Sequence, residues 1–210
     1  MSNYFTIFPT TIARYRFEES DKLKETITDI IMTGAEARHR LYSTHYYEYT
    51  SSFLDDARLD SFKEFVNASA NAYAGELLGI DSDMMLTNAW INQTNTGHLE
   101  DAHNHANAYV SGTYYVNFDS EIHSVLEFYK NSSGMSLSPY IECATKHINL
   151  FNANKFIFLD LQEGDLLLWP SHVEHGYSTA NTGDNRISIS MNFLPTVISN
   201  GPYKFKVSKV

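Results

Sequence analysis

Residues 186–194 read RISISMNFL and alternate between polar and apolar side chains at every step. The polar set is Arg186, Ser188, Ser190 and Asn192, and the apolar set is Ile187, Ile189, Met191 and Phe193. Successive side chains of a β-strand point to opposite faces of the sheet, so each set falls on one face. The pattern predicts a strand whose apolar face must be covered by other elements of the fold.

The same two-residue period begins near residue 85 and recurs along the chain up to this strand. Further candidate strands, with turn residues between them, are Met85–Thr94, Tyr109–Phe118, Val125–Tyr129, Phe156–Leu161 and Leu166–Trp169. The turn signal Glu163-Gly164-Asp165 joins two of them. Many short strands separated by turns favour an antiparallel β-sandwich or barrel.

Helical periodicity dominates the chain before residue 85. Ser20 can cap a first helix, whose apolar face is Leu23, Ile27, Ile30 and Ile31. Gly79 can end a second helix, whose apolar stripe is Leu59, Phe62, Val66, Ala70, Tyr73 and Leu77. These two amphipathic helices are the available cover for the apolar face of the sheet.

A chain of 210 residues and 23.9 kDa has the size of one domain. We expect a single mainly β (α+β) domain over residues 1–210. Within it, we expect a mostly helical layer over 1–84, a β core over 85–198 and a C-terminal tail over 199–210.

Charge and cysteine content exclude several classes of protein. The chain has 15 Lys and Arg against 25 Asp and Glu, and its net charge of −10 disfavours a nucleic-acid partner. The single cysteine, Cys143, excludes an internal disulfide and fits a reducing compartment. We see neither a secretory signal nor an apolar run of the roughly 20 residues that span a bilayer. We expect a soluble, cytoplasmic protein with no membrane partner, and nothing in the sequence specifies its oligomeric state.

Histidines supply the first candidate for chemistry, because five of the nine fall in two short clusters. The first cluster is His98, His103 and His105, and the second is His172 and His175. On an extended strand the two imidazoles of His103-Asn104-His105 point the same way, and neutral imidazole is a common ligand of transition metals. Stray histidines in surface loops are the alternative, but a second cluster after an apolar strand favours one metal site built from distant strands.

Arg186 opens the polar face of the strand over residues 186–194. A guanidinium aimed into a pocket binds a carboxylate through two hydrogen bonds. Ser188 lies two residues later on the same face and can donate another. The alternative is an ordinary surface arginine at the start of a strand.

Four segments taken together resemble one enzyme family. They are AWINQ (89–93), HNHANAYVSGTYYV (103–116), EGDLLLWPSHVEH (163–175) and NRISISMNF (185–193). In this order they are similar to the iron(II)- and 2-oxoglutarate-dependent oxygenases, and most similar to a bacterial and phage branch with a His-x-His motif. The opening YFTIFPTTI (4–12) also resembles the start of that branch.

The resemblance implies a double-stranded β-helix, or jelly roll, with the N-terminal helices packed on one sheet. It implies that His103, His105 and His175 ligate the iron and are catalytic. Arg186 would bind the distal carboxylate of 2-oxoglutarate, with Ser188 assisting. Tyr115 is a candidate to hydrogen-bond this cosubstrate or, alternatively, only packs in the core. The implied activity is a dioxygenase, specifically a hydroxylase, that uses Fe(II), 2-oxoglutarate and O2 on an unknown substrate.

The motif departs from the family at one ligand. The usual set is two histidines and one carboxylate in a His-x-Asp or His-x-Glu motif, whereas His105 stands at the carboxylate position here. Three neutral imidazoles leave the metal one unit more positive than the usual set. Glu100 or Asp101 is the alternative source of an oxygen ligand.

Two other functions compete with the oxygenase. A metal-dependent cupin shares the spacing of glycine and histidine around His103 and His175, but it expects a glutamate soon after the paired histidines and has no particular need of Arg186. A non-catalytic binding module could keep the scaffold without the reaction. We place substrate specificity in loops such as 131–154, which is a candidate lid.

Several neighbouring residues receive simpler interpretations. His98 and His172 are expected near the site or on the surface rather than on the metal, and Trp90 and Trp169 in the core. For Asn92 and Asn192 a place in the pocket and a place facing solvent both remain open.

Overall fold

The computed structural model of the protein describes residues 9–48, 52–130, 153 and 155–208. Its α-helices are α1 (Ser20–Met32) and α2 (Asp60–Ala72). Its strands up to the middle of the chain are β1 (Ala13–Arg16), β2 (Ala37–Arg40), β3 (Ser43–Tyr46), β4 (Met84–Thr94), β5 (Glu100–His103), β6 (Val110–Asn117) and β7 (Glu127–Tyr129). The remaining strands are β8 (Lys155–Ile157), β9 (Asp165–Pro170), β10 (His175–Tyr177), β11 (Arg186–Pro195), β12 (Val197–Asn200) and β13 (Tyr203–Lys206). Neither α-helix is long and apolar enough to cross a membrane, and no other described helix is.

Two antiparallel sheets form the architecture. The major sheet has seven strands in the order β1-β9-β6-β11-β4-β3-β2, and the minor sheet has four in the order β5-β10-β7-β8. β12 and β13 form a separate hairpin. β11 is the central strand of the major sheet and pairs with β4 on one side and β6 on the other. The expected mainly β protein with two covering helices is confirmed.

The helices cover one face of the major sheet. The alternating apolar residues of β11 are at most 3% exposed and pack in one core with α1 and α2. Tyr114 of β6 joins this core, where its ring meets that of Phe62 edge-on at 4.9 Å. Ile27 of α1 is fully buried there. Burying each such side chain contributes roughly 1.5–3 kcal/mol to the stability of the fold. The apolar residues of β11 therefore hold the two helices against this face of the sheet.

The opposite face of the major sheet meets the minor sheet. Leu167 and Trp169 of β9 lie in this second core, and the ring of Trp169 packs edge-on against Phe128 of β7 at 5.2 Å. Leu166 and Leu168 point to the helix side instead. β9 is therefore buried on both faces, which explains its uninterrupted run of apolar residues.

The N-terminal part of the chain contains strands as well as helices. β1 adds to the edge of the major sheet beside β9, and β2 and β3 extend the other edge beside β4. All four residues of β2 are exposed, so this strand lacks the apolar alternation that would have revealed it. In the expected tail, residues 203–206 form β13 of the hairpin.

Three sequence features lie wholly or largely outside the described residues. They are the start of YFTIFPTTI over residues 4–8, Cys143, and the candidate lid over 131–154 apart from residue 153.

Candidate functional site

A cavity of about 420 Å³ lies between the two sheets, where their inner faces carry polar rather than apolar residues. The polar face of β11 supplies one wall, and the segment from His103 to Asn107 supplies another. His175 of the minor sheet also lines it. The cavity therefore collects residues from both sheets, and two of the sequence motifs meet in it.

Three imidazoles converge at this cavity. The nearest ring nitrogens of His103, His105 and His175 all lie within 4.8 Å of one another. His103 ends β5 and His175 begins β10, and the two residues stand directly opposite each other in that strand pair. A Cβ on Gly176 would lie 2.7 Å from the carbonyl oxygen of Glu100, so glycine permits the close approach of these strands.

His105 reaches the cluster from outside the strand. β5 ends at His103, so the expected pair of imidazoles on one extended strand is replaced by one strand residue and one loop residue. The backbone N–H of His105 donates to the carbonyl oxygen of Ser171 at 2.9 Å. Its ring stacks on Trp90 at 6.0 Å between centroids. These contacts bring the ring to within 5.1 Å of His175, measured between centroids.

The hydrogen bonds of the imidazoles leave nitrogens for a metal. Nδ1 of His103 donates to the carbonyl oxygen of Asp101 at 2.8 Å, and Nδ1 of His175 donates to that of Val173 at 2.9 Å. A carbonyl oxygen only accepts, so each Nδ1 carries the proton and each Nε2 presents a lone pair. This is the arrangement by which proteins orient imidazole ligands.

Burial keeps two of these imidazoles neutral. It lowers the pKa of His175 to about 3, and the neighbouring His103 and His105 add to this effect. Burial also lowers the pKa of His105, and the neighbouring His103 adds to this effect. Neutral imidazole is the form that binds a metal.

The carboxylates considered as alternative ligands lie apart from the three imidazoles. No carboxylate among the described residues joins the histidine cluster. Oε2 of Glu100 lies 3.5 Å from Nε2 of His98, which is buried beside the cavity. Burial raises the pKa of Glu100, but the hydrogen bond from His98 and the nearby imidazoles outweigh it and lower the pKa overall. Glu100 is therefore placed to hold His98.

Arg186 is a buried cation at the same cavity. It is 1% exposed, and within the described part of the chain no carboxylate oxygen lies within 4.0 Å of it. Its Nη2 donates to the hydroxyl of Tyr177 at 2.8 Å, and its Nε donates to the carbonyl oxygen of Ser124 at 3.2 Å. The ring of Tyr177 also lies 4.6 Å from the guanidinium carbon. Because a buried charge without a counterion is costly, this site favours an anionic ligand.

Two hydroxyls accompany the guanidinium. Oγ of Ser188 accepts from Nη1 of Arg186 at 3.4 Å. The hydroxyl of Tyr115 is fully buried and has no hydrogen-bond partner among the residues described. Burial raises the pKa of Tyr115, with the positive charge of Arg186 acting against this, so the phenol stays protonated at neutral pH and can donate.

The residues present fit a divalent iron and a dicarboxylate. Three neutral imidazoles suit Fe(II), and the buried guanidinium with its hydroxyl neighbours suits a carboxylate at the other end of the same cavity. The structure therefore brings together all six residues predicted for the site: His103, His105, His175, Tyr115, Arg186 and Ser188.

The sequence did not reveal several other residues of the site. Tyr177 and Ser124 hold Arg186 through contacts that follow no sequence spacing. His45 and Glu48 line the cavity from the N-terminal strand region, where the pattern was too weak to place them. Of the residues given two interpretations, Asn92 lines the cavity and Asn192 is 3% exposed, so neither faces solvent on an open surface.

The simpler interpretations of three further neighbours, Trp169, Trp90 and His172, have mixed outcomes. Trp169 is 1% exposed in the core between the sheets and also lines the cavity, where its ring lies 4.8 Å from that of His175. Trp90 is partly exposed and stacks on His105. His172 is exposed, as expected.

A scan against protein families matches residues 88–192, half of the chain, to the family described as "Putative 2OG-Fe(II) oxygenase". The match contains all six predicted site residues. No curated protein matches the sequence significantly.

Several solved structures of enzymes share the fold. SnoN, an α-ketoglutarate-dependent epimerase from nogalamycin biosynthesis, matches at 13% identity with a TM-score of 0.62, over 90% of this chain and 80% of its own. HygX from Streptomyces hygroscopicus, with nickel, 2-oxoglutarate and hygromycin B bound, matches at 13% identity with a TM-score of 0.58. The match covers 89% of this chain and 84% of HygX. A Pseudomonas putida prolyl-4-hydroxylase matches at 12% identity with a TM-score of 0.58. The match covers 89% of this chain and 93% of the hydroxylase. The similarity confirms the predicted double-stranded β-helix.

Proposed function

The chain belongs to the 2OG-Fe(II) oxygenase family, and from this premise we propose that it is a hydroxylase acting on a small polar substrate. The family predicted from the sequence motifs is confirmed, and with it an enzyme that uses Fe(II) and 2-oxoglutarate. When bound, the two together activate O2, and 2-oxoglutarate leaves as succinate and CO2. The reaction and the substrate are the proposed part.

We assign the metal to His103, His105 and His175. Their clustered nitrogens, and the Nδ1 protons of His103 and His175 committed to backbone carbonyls, support this assignment. Strand pairing between β5 and β10 fixes two of the rings relative to each other before any metal binds. The task of these residues is to hold three neutral nitrogens at one point.

We assign the distal carboxylate of 2-oxoglutarate to Arg186. Its fork is held from behind by Ser124 and Tyr177, so the remaining N–H groups are oriented before the ligand arrives. We assign Ser188 and Tyr115 to the same carboxylate as hydroxyl donors. A dicarboxylate bound by Arg186 would share one cavity with the histidines.

The cavity wall formed by the end of β2, by β3 with the residues after it, and by β4 supports a polar substrate. Nη2 of Arg40 lies 2.6 Å from Oε1 of Glu48, and Nδ1 of His45 lies 3.6 Å from the same oxygen. Nδ2 of Asn92 donates to Oγ of Ser190 at 2.8 Å nearby. Such a wall offers hydrogen-bond donors and acceptors to a polar molecule. Hydroxylation is the reaction named for the P. putida relative, and hygromycin B, bound to HygX, is a small molecule.

The observation that carries the proposal is that three imidazoles and one buried guanidinium, which has no carboxylate partner among the described residues, face a single cavity. The test is turnover of 2-oxoglutarate by the protein loaded with Fe(II) under O2. We expect succinate formation that requires both the metal and 2-oxoglutarate, and a product 16 Da heavier than its substrate when a panel of polar amino acids, peptides and sugars is supplied.

The same assay separates the competing functions. A cupin-type enzyme would bind metal and form no succinate, and a binding module would take up neither metal nor 2-oxoglutarate. The burial of Arg186 at the cavity favours the oxygenase over the cupin, since a cupin has no ligand that needs it. Succinate formation together with a change in substrate mass other than +16 Da would agree with the family and contradict the proposal that the reaction is a hydroxylation.

A further inference from the structure

A row of polar side chains crosses the inner face of the major sheet. Ser188 of β11 stands opposite Tyr115 of β6 on one side and opposite Asn92 of β4 on the other. His45 of β3 stands opposite Asn92 in turn. Directly paired residues of neighbouring strands point to the same face, so the row leads away from the arginine along the cavity wall. His45 lies two strand spacings, or roughly 10 Å, from Ser188.

The far end of this row carries an ion pair. Arg40 of β2 and Glu48 just after β3 line the cavity beside His45, and we call these three residues the β3 end of the cavity. Nη2 of Arg40 lies 2.6 Å from Oε1 of Glu48, and Nη1 of Arg38 lies 3.2 Å from the other oxygen of the same carboxylate. The side chain of Arg40 is 40% exposed and that of Glu48 is 16% exposed, so both can still contact a ligand. Their mutual ion pair orients them before a ligand arrives.

The charged groups at the β3 end differ from Arg186, because they already have partners. Among the described residues, the acidic and basic side chains other than histidine that line the cavity are Arg40, Glu48, Glu100 and Arg186. Arg40 and Glu48 neutralise each other, and Oε2 of Glu100 lies 3.5 Å from Nε2 of His98. A charged group of a substrate therefore finds no free counterion at the β3 end. Binding it there would leave its charge unpaired or break the existing ion pair.

Hydrogen-bonding capacity remains at the β3 end although free charge does not. A carboxylate accepts about four hydrogen bonds and a guanidinium donates five, so the ion pair uses only part of both. A hydroxyl group both donates and accepts, and two neighbouring hydroxyls can therefore bind Glu48 and Arg40 side by side. An ammonium group would be repelled by Arg40, and a carboxylate group would be repelled by Glu48.

Trp90 connects the β3 end to the histidine cluster. It lies two residues before Asn92 on the same face of β4, is partly exposed and lines the cavity. Its ring stacks on that of His105 at 6.0 Å between centroids. One strand spacing and two residues of β4 separate His45 from Trp90, which amounts to roughly 8 Å. A molecule the size of one or two sugar rings can therefore be held at the β3 end and still reach the histidines.

We propose that the β3 end of the cavity binds a neutral, polyhydroxylated substrate of the sugar class. Glu48 accepts a hydrogen bond from one hydroxyl of this substrate, and Arg40 donates to the neighbouring hydroxyl. The proposal rests on the proposed function, because it names the substrate class of the same cavity. It also follows from the contrast between the two ends, since Arg186 needs an anion whereas the Arg40–Glu48 pair needs a ligand without charge.

The test measures binding of sugars to the full chain by ligand-observed NMR, without metal or 2-oxoglutarate. The probes are D-glucose, D-galactose and D-mannose, each with its 2-amino and its uronic acid derivative. We expect at least one neutral sugar to bind, with a Kd about 3-fold to 10-fold below those of its charged derivatives. Absence of binding by every neutral sugar, or a charged derivative that binds the wild-type protein as tightly, would overturn the proposal.

Two charge-changing variants sharpen the test. Glu48→Gln removes the counterion of Arg40, and we expect the Kd for the uronic acid derivative to fall about 3-fold to 10-fold. Arg40→Gln leaves less positive charge beside Glu48, and we expect the 2-amino derivative to gain affinity by a similar factor. If the ion pair only stabilises the fold, neither variant will change the order of preference among the three forms, and that result would overturn the proposal.

Arg14→Gln is the matched control. Arg14 of β1 forms an ion pair with Asp160 at 3.0 Å, and its side chain is 38% exposed, but it does not line the cavity. We expect this variant to bind each sugar as the wild-type protein does. A change of preference as large as that in Arg40→Gln would attribute the effect to the net charge of the protein and overturn the proposal.

Succinate formation separates this inference from the proposed function. The neutral sugar that binds should raise succinate formation by the protein loaded with Fe(II) and 2-oxoglutarate above the rate without a substrate. Sugar binding with the expected charge preference but no succinate under any condition would contradict the proposed function and support the sugar site. Succinate formation stimulated by another polar compound, with no sugar bound, would overturn the sugar site and leave the oxygenase standing.

Discussion

The histidine end and the arginine end of the cavity are constructed differently. The histidines come from the end of β5, a loop and a three-residue strand, β10, which meets β5 with a register shift after His175. His103 is exposed, His105 is half-buried and His175 is buried. Arg186 and Ser188 instead stand on β11, a ten-residue strand paired on both sides, and both are 1% exposed.

The difference teaches how the two tasks divide. A carboxylate is gripped by a preorganised fork, so it benefits from the most rigid strand of the molecule. A metal is gripped by rings that must converge from several segments, so its ligands need individual orientation by hydrogen bonds. The two ends should therefore fail independently when mutated.

The largest expected effect is at the histidine end. His175→Ala removes a buried imidazole from the centre of the cluster, and we expect the Kd for Fe(II) or Ni(II) to rise by more than about 100-fold, beyond the loss typical of an outer partner. Calorimetry measures this directly. His172→Ala, three residues earlier and exposed, is the control and should bind metal normally. Wild-type metal affinity in His175→Ala would show that the cluster is not the metal site.

The next effect is at the arginine end. Arg186→Ala should spare metal affinity and raise the 2-oxoglutarate concentration needed for half-maximal succinate formation about 10-fold to 100-fold or more, because a charge-assisted hydrogen bond contributes ~1.5–3 kcal/mol. Arg58→Ala, at a surface ion pair with Asp29, should change neither quantity. If Arg186→Ala and His175→Ala lose metal and cosubstrate alike, the division between the two ends is wrong.

The smallest effect concerns one hydroxyl. Tyr115→Phe should raise the same 2-oxoglutarate requirement about 2-fold to 10-fold, since a neutral hydrogen bond contributes ~0.5–1.5 kcal/mol. Tyr114→Phe is a matched control, because Tyr114 is equally buried with an unpartnered hydroxyl but faces the helices. Equal 2-oxoglutarate requirements in both variants would show that Tyr115 only packs.

Local patterns predicted much of the fold. The alternation over residues 186–194 identified β11 and both its faces, and the helical spacing of Leu23 and Ile27 identified the cover. Both patterns reflect burial, because every second residue of a strand and every third or fourth residue of a helix faces the core. The sequence did not predict β2, because its four residues are exposed and show no apolar alternation. Pairing with β3 and the ion pairs of Arg38 and Arg40 with Glu48 hold it at the edge of the sheet.

The residues of the candidate site that could be predicted from the sequence are those whose side-chain chemistry stands out in its local context. His103, His105 and His175 stand out as residue types, and so does Arg186 at the start of a strand. Ser124 and Asn192 do not, because serines and asparagines are common throughout the chain and the partners of these two, Arg186 and Ser111, are distant in sequence. Asn192 acquires its place from Ser111, 81 positions earlier.

The sequence by itself determined the strand and helix periods, the residue types able to hold a metal and an anion, and the family. Only the tertiary structure decided that β5 and β10 pair so that two imidazoles face each other, that His105 reaches them from a loop, and that Arg186 has no carboxylate of its own among the described residues. The physical reason is range. Periodicity reflects each residue's exposure to solvent, whereas ligand geometry and charge compensation depend on distances between segments that only strand pairing and sheet packing fix.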